Sequence, residues 1–149
     1  MNNSLMEKLM KLDRNKLAEI PTAKIKAERL SNVAGDDVEI TLKAISGNLY
    51  TSFVSRATNK AGVFDYEKMY EAHAMIVVHG CVEPDLRDKE LMKHFGAETP
   101  KDLAKKLFPG GELVKMSEKI GELSGFKVKE DSDDGDERDG IDYDDVKNS

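Results

Sequence analysis

Three histidines and one cysteine are the side chains of this sequence most able to bind a metal or to act as a nucleophile. His73 and His79 lie six positions apart, which turns them to different faces of one helix. His79 and Cys81 have a single residue between them, whereas metal-binding pairs usually have at least two. We therefore predict neither a zinc site nor a catalytic thiol, and interpret these residues as a helix-surface histidine and a small buried thiol.

A glycine pair and an aspartate-rich stretch could bind phosphate or calcium, but both lack the required pattern. Gly110-Gly111 is not followed by the Gly-Lys-Ser/Thr of a phosphate-binding loop, and it is typical of a helix-breaking turn. An EF-hand loop beginning at Asp131 would need glycine where Asp136 stands and glutamate where Asp142 stands. Since no Ser/His/Asp order stands out either, we predict a non-catalytic protein with no metal and no cofactor.

The net charge of −6 is distributed very unevenly along the chain. Residues 130–149 contain ten acidic and two basic residues, a net charge of −8, and few apolar ones. Residues 1–129 contain 21 basic and 19 acidic residues, a net charge of +2. A segment so poor in apolar residues cannot offset the entropy cost of ordering. We therefore predict one folded domain over residues 1–128 and a disordered acidic tail over residues 129–149.

Length and composition narrow the class of protein further. A chain of 149 residues amounts to one domain. No apolar run approaches the roughly 18 residues of a membrane span, and the first residues do not resemble a signal peptide. A single cysteine favours the reducing cytoplasm. Because there is no Trp and the body is nearly neutral, we expect no nucleic-acid partner, and interpret Lys101, Lys105 and Lys106 as a solvated helix face.

The N-terminal residues predict a short amphipathic helix. Ser4 and Glu7 have the spacing of a capping box, in which both side chains satisfy free amides at a helix start. Residues 13–21 then predict a turn or linker. The apolar residues of this helix share one stripe: Leu5, Met6, Leu9, Met10 and Leu12.

A β-hairpin is predicted next. Residues 37–44 alternate between apolar and polar side chains, the pattern of a half-buried strand. Residues 22–30 fit either a helix, with Gly35 as its stop, or a strand. Because a lone strand leaves its backbone groups unpaired, we favour pairing of residues 24–30 with this strand through a connection at 31–36.

Helical periodicity and capping residues predict that the remaining body is helical. The fold class expected is therefore α+β, mostly α: a small single domain of short helices with an N-terminal β-hairpin. The predicted helices cover 49–57, 66–77 with a left-handed stop at Gly80, 88–95 ended by Gly96, a helix capped by Thr99, and 113–123 closed by Gly125.

Four phrases of the sequence, in this order and spacing, resemble the XkdN-like phage tail assembly chaperones of tailed phages and prophages of Gram-positive bacteria. The resemblance covers about residues 5–126. Residues 108–112 (FPGGE) depart from the family pattern, in which a proline beside a single glycine precedes the glutamate. The phrases are 24–31 (KIKAERLS), 80–91 (GCVEPDLRDKEL), 95–103 (FGAETPKDL) and 120–126 (IGELSGF).

The resemblance implies a binding role in the bacterial host cytoplasm. Proteins of this family are thought to coat the long, aggregation-prone tape measure protein and to hand it to the tail tube protein, and they are absent from the finished virion. Many also exist as a longer form made by a programmed frameshift. Residues 146–148 can be encoded with the slippery heptamer A AAA AAY, so such a form is one hypothesis for this chain; a homo-oligomer is another open possibility.

Two apolar stripes are candidates for the partner-binding site. We favour the first helix because it is short and terminal, and because methionine adapts to irregular surfaces. For the last helix we favour packing in the domain's own core. The alternative function is a prophage-encoded regulatory or DNA-mimic protein that acts through its acidic tail. The predicted partner-binding residues are Leu5, Met6, Leu9 and Met10.

Overall fold

Short helices and a small antiparallel sheet make up residues 2–126, the part of the chain that the computed structural model describes. The predicted α+β, mostly helical class is confirmed. The disordered tail predicted over residues 129–149 lies outside the described residues. The elements are α1 (Asn2–Met10), α2 (Arg14–Leu17), β1 (Thr22–Lys26), α3 (Glu28–Ala34), β2 (Glu39–Lys43), α4 (Gly47–Ser55), α5 (Tyr66–Gly80), β3 (Cys81–Glu83), α6 (Lys89–Phe95), α7 (Pro100–Leu107) and α8 (Gly111–Leu123).

The sheet has the strand order β1-β2-β3, with both neighbouring pairs antiparallel. In β2 the alternation seen in the sequence places Ile40 and Leu42 in the core. Ile25 of β1 lies opposite Ile40, and Cys81 of β3 lies opposite Leu42. The apolar side chains of the central strand thus set the register of the whole sheet.

Residues 22–34 combine the two alternatives that their sequence left open. The first part is the strand β1, which pairs with β2 as predicted, and the second part is the helix α3. The predicted strand is therefore wrong beyond Lys26. The backbone turns there because Ala27 is fully buried and its N–H donates to the carbonyl of Val38 at 2.9 Å. Gly35, in a left-handed conformation (φ 75°), ends α3, the role that the helical alternative gave it; the predicted hairpin connection at 31–36 is therefore largely helix.

Gly80 does not act as the predicted left-handed stop. Helix α5 continues through Gly80 into β3, a strand that the sequence did not predict, and Cys81 already has an extended conformation. The requirement for glycine is steric, because a Cβ at Gly80 would lie 2.5 Å from Cδ1 of Ile120. Close approach of α5 and α8, and not backbone conformation, therefore explains this residue.

Two further predictions near the N-terminus need correction. The helix α1 begins at Asn2, so Ser4 lies inside it and not at its cap. The segment predicted as a turn or linker contains the short helix α2, which begins where the Asp13 side chain accepts a hydrogen bond from the Asn15 N–H at 2.9 Å. This aspartate cap is a local interaction that the single helical turn needs.

Apart from the stop at Gly80, the predicted helix caps of the body are confirmed. Thr99 Oγ1 accepts from the Asp102 N–H at 3.0 Å, with Pro100 in the first turn of α7. Gly96 ends α6 in a left-handed conformation. The side chains that accept a backbone N–H at a helix start also include Ser46, Asp65 and Asp88.

The core lies around α5, which packs against α4, α7, α8 and β3. The stripe of α8 closes this core: Leu113, Met116 and Ile120 are fully buried, and Leu123 is partly buried. The prediction that the last helix packs in the domain's own core is thereby confirmed. The largest core side chains outside α8 are Phe108, Ile40, Leu42, Ile76, Leu86 and Leu103.

Candidate partner-binding site

The four residues predicted to bind a partner are exposed in the structure. Met10 is 78% exposed and Leu9, the least exposed of the four, is 50% exposed. We call these four, together with the three exposed apolar residues that follow them, the N-terminal apolar surface. Its members are Leu5, Met6, Leu9, Met10, Leu12, Leu17 and Ile20.

The N-terminal apolar surface is separate from the domain core. Residues 4–22 are all exposed, and none of their apolar side chains belongs to the core or packs against it. Sequence reasoning missed Leu17 and Ile20, because they stand in a stretch interpreted as a linker. Both residues are apolar and follow closely after the predicted amphipathic helix, and this pattern could have identified them.

The chemistry of this surface suits a protein partner. Exposed apolar residues that cluster in one part of a soluble protein typically mark an interaction site. The two methionines add a flexible thioether surface that can adapt to different partner side chains. Glu7, Lys8 and Lys11 lie between the apolar residues in the sequence, so the segment is amphipathic. Such a surface can bind the apolar face of a partner helix.

His73 has a role that the sequence did not predict. It was interpreted as a helix-surface residue, but the structure places it partly buried on α5, with Nδ1 2.7 Å from Oγ of Ser117 on α8. Burial lowers the pKa of His73, which favours its neutral form. Because Ser117 is fully buried, its hydroxyl is out of reach of a substrate, and the pair joins two core helices.

His79 and Cys81 lie close in sequence but have different surroundings in the structure. His79 Nδ1 is 2.7 Å from a guanidinium nitrogen of Arg87, and burial together with Arg87 and Lys43 lowers the pKa of His79. Cys81 is buried, as predicted, and burial with the nearby Asp85 raises its pKa to about 12. A thiol with so high a pKa carries almost no thiolate at neutral pH. Among residues 2–126, no three His, Cys, Asp or Glu side chains are grouped to hold a metal ion.

A groove between α4, α5 and the start of α7 is a second surface feature, which sequence reasoning missed. Its apolar floor is formed by Phe53, Ala72 and Met75, and its volume is about 420 Å³. Glu71 ion-pairs with Lys101 at 2.8 Å and with Lys105, and both pairs lower the pKa of Glu71. The charged residues of its lining are Arg56, Lys68, Glu71 and Lys101.

The fold and the exposed residues together define a class: a small α+β domain with an exposed apolar surface in its N-terminal segment. Within residues 2–126, no helix is both long enough and apolar enough to cross a membrane. A family model described as phage XkdN-like tail assembly chaperone protein matches residues 6–138. The chain therefore belongs to the XkdN-like family of phage tail assembly chaperones, as its sequence motifs suggested.

One solved structure is similar to this chain. The crystal structure of the protein yqbn is 26% identical in sequence and superimposes with a TM-score of 0.50. The match covers 73% of this chain and 90% of that chain. No curated protein gives a significant match. Family membership assigns the chain a chaperone role in phage tail assembly.

Proposed function

We propose that this chain performs its role in tail assembly by binding the tape measure protein and keeping it soluble. It does so without catalysis, in the cytoplasm of the bacterial host, until the tail tube protein takes over the partner. The chain itself does not enter the mature virion. The observation that carries the proposal is the N-terminal apolar surface, which residues 2–126 leave uncovered.

The expected chemistry of the tape measure protein complements the N-terminal apolar surface. A long helical protein that aggregates on its own exposes apolar helix faces, which must be covered to keep it in solution. The apolar stripe of α1 can cover such a face by helix-to-helix packing, at the spacing of Leu5 and Leu9. We therefore assign the first contact with the tape measure protein to Leu5, Met6, Leu9 and Met10.

Two further partners belong to the same proposal. The tail tube protein receives the tape measure protein from this chain. A longer frameshifted form of this chain is the second partner, and it makes a further contact with the tape measure protein. The nucleotides of the gene test the second partner directly. A valine codon other than GTA at Val146, or AAG at Lys147, removes the slippery heptamer and contradicts a frameshift at this position.

Co-expression with the tape measure protein encoded downstream tests the main proposal. We expect the partner to purify in soluble form with an affinity-tagged wild-type chain and to aggregate without it. The double substitution Leu5→Ser with Leu9→Ser should abolish co-purification and leave the fold of the body unchanged. Val33→Ser is the control, because Val33 is an apolar residue even more exposed than Leu5 and Leu9 but lies on α3. Undiminished capture by the double variant would contradict the assigned surface.

The alternative, a regulatory or DNA-mimic protein, rests on the −8 charge of residues 130–149. Deletion of these residues separates the two functions. A chaperone that acts through α1 should still capture the tape measure protein after the deletion. A mimic that acts through its acidic segment should lose all binding to its partner. Capture that depends on residues 130–149 and not on α1 would favour the mimic.

A further inference from the structure

The groove between α4, α5 and α7 carries an excess of positive charge. Its lining contains three cations, Arg56, Lys68 and Lys101, against the single carboxylate of Glu71. Lys105 extends the positive charge along α7, with its ammonium group 5.8 Å from the ring centre of Tyr70. The guanidinium of Arg56 lies 5.3 Å from the ring centre of Phe53. The groove thus combines an apolar floor with a cationic rim.

We propose that residues 130–149 of this same chain dock in the α4–α5–α7 groove. These residues carry a net charge of −8, so their carboxylates complement the cationic rim. The pattern inside this segment fits as well, because residues 141–144 (IDYD) alternate apolar and acidic side chains and Asp145 follows them. Ile141 and Tyr143 are the side chains for the apolar floor, and the aspartates between and after them face the lysines and the arginine.

The path of the chain brings this segment to the groove. Phe126, the last described residue, stacks on Tyr50 of α4 with ring centres 4.4 Å apart. Arg56, at the end of the same helix, is six residues further on, or about 9 Å along the helix axis. An extended chain spans about 13 Å from residue 126 to residue 130, and about 50 Å to residue 141. Both the acidic run and the apolar pair can therefore reach the groove.

Tethering makes even a weak interaction sufficient. A segment attached by a short linker meets its own docking site at an effective concentration in the millimolar range. Exposed ion pairs contribute only about 0.2–1 kcal/mol each, so several are needed together with the apolar contact. The groove provides both kinds of contact.

Carbodiimide crosslinking of the full-length chain, followed by mass spectrometry, tests the proposal. This reagent joins a lysine amine to a carboxylate only where the two are in contact. We expect crosslinks from Lys68 and Lys101 to the acidic residues of 130–145, well above those from the control lysines Lys24 and Lys93. They should disappear at about 1 M salt, where the screening length falls to about 3 Å. Equal crosslinking of all four lysines would overturn the proposal.

A pair of charge-reversal variants and a mixed-isotope sample make the crosslinking experiment more specific. Arg56→Glu should lower the crosslinks at the unchanged lysines about fivefold, whereas Arg29→Glu, a charge reversal on α3, should not. A mixture of isotopically light and heavy chains shows whether the joined groups come from one molecule. Crosslinks that only connect two chains would overturn intramolecular docking and identify a second copy as the occupant. In NMR spectra of the full-length chain, the amide chemical shifts of Lys68 and Lys101 should differ from those of a chain without residues 130–149. An Ile141→Ser, Tyr143→Ser variant should lose this difference.

Discussion

The first and the last helix of the described residues both have an apolar stripe, but the two stripes lie in opposite surroundings. Both α1 and α8 carry leucine and methionine on one stripe. In α8 this stripe is buried against α5, and Met116 is fully inaccessible. In α1 the same kind of stripe is exposed, and Met6 is 55% accessible. Amphipathic periodicity therefore identifies an apolar face but not the surface that covers it.

The chain segments next to α1 and α8 explain why one stripe is exposed and the other is buried. Before helix α8 the Gly110 N–H donates to Tyr70 Oη at 3.0 Å, and after it the Ser124 hydroxyl accepts a hydrogen bond from the Ile45 N–H, so both ends of the helix are held on the body. Helix α1 is followed by the exposed stretch 11–21, which places no side chain in the core. A helix held in this way contributes to stability, whereas one left exposed is available to a partner.

The largest expected effect is a loss of folding stability when the buried stripe of α8 is changed. Leu113→Ala in α8 should lower the free energy of unfolding by about 2–5 kcal/mol, because it removes buried methyl groups and leaves a cavity. Leu9→Ala in α1 is the matched change and should cost less than about 0.5 kcal/mol. Urea denaturation of both variants measures the difference. Equal losses would show that α1 is also part of the core.

The close approach of α8 to α5 gives the next largest effect. Gly80→Ala places a Cβ within 3 Å of three carbon atoms of Ile120, and should destabilise the domain by about 1–3 kcal/mol. Gly111→Ala is the control, because a Cβ there meets no atom within 4 Å and alanine favours the helix. Thermal unfolding should therefore rank Gly80→Ala below the wild type and Gly111→Ala at or above it. The opposite order would contradict steric packing as the reason for Gly80.

The burial of His73 predicts a pH dependence of stability. Burial lowers the pKa of His73 from 6.5, so below about pH 6.5 the unfolded chain takes up a proton that the folded chain resists. Stability should thus be constant above this pH and fall as the pH decreases from there. One such group changes the free energy of unfolding by at most about 1.4 kcal/mol per pH unit.

Unfolding measured from pH 7.5 to pH 5.5 tests this dependence. His73→Gln should flatten the curve, and His79, whose pKa is lowered by burial in the same direction, should account for part of the remaining slope. An unchanged curve for His73→Gln would show that burial of this imidazole does not affect stability.

The smallest effect on stability is expected at the candidate partner-binding site. Leu5→Ser with Leu9→Ser removes apolar surface that is already in contact with water, so the melting temperature should change by no more than a degree or two. The same variant is expected to lose the tape measure protein in co-purification. Destabilisation as large as that of Leu113→Ala would remove the contrast between α1 and α8.

Local sequence patterns predicted the parts of the fold that depend on neighbouring residues. The cap at Thr99, the stop at Gly96 and the alternating strand β2 were predictable, because each depends on residues close together in the sequence. The strand β3 was not, since its three residues become a strand only by pairing with β2. The division of residues 22–34 into β1 and α3 likewise depends on burial of Ala27.

For the candidate site, the sequence by itself determined that Leu5, Met6, Leu9 and Met10 share one stripe of a short amphipathic helix, and that residues 130–149 are strongly acidic. Only the tertiary structure decided that the stripe of α1 stays exposed while the stripe of α8 is buried. It also brought Arg56, Lys68 and Lys101 from three separate parts of the chain into one groove. The physical reason is the range of the interactions: caps and periodicity act within a few residues, whereas burial depends on which distant elements pack together.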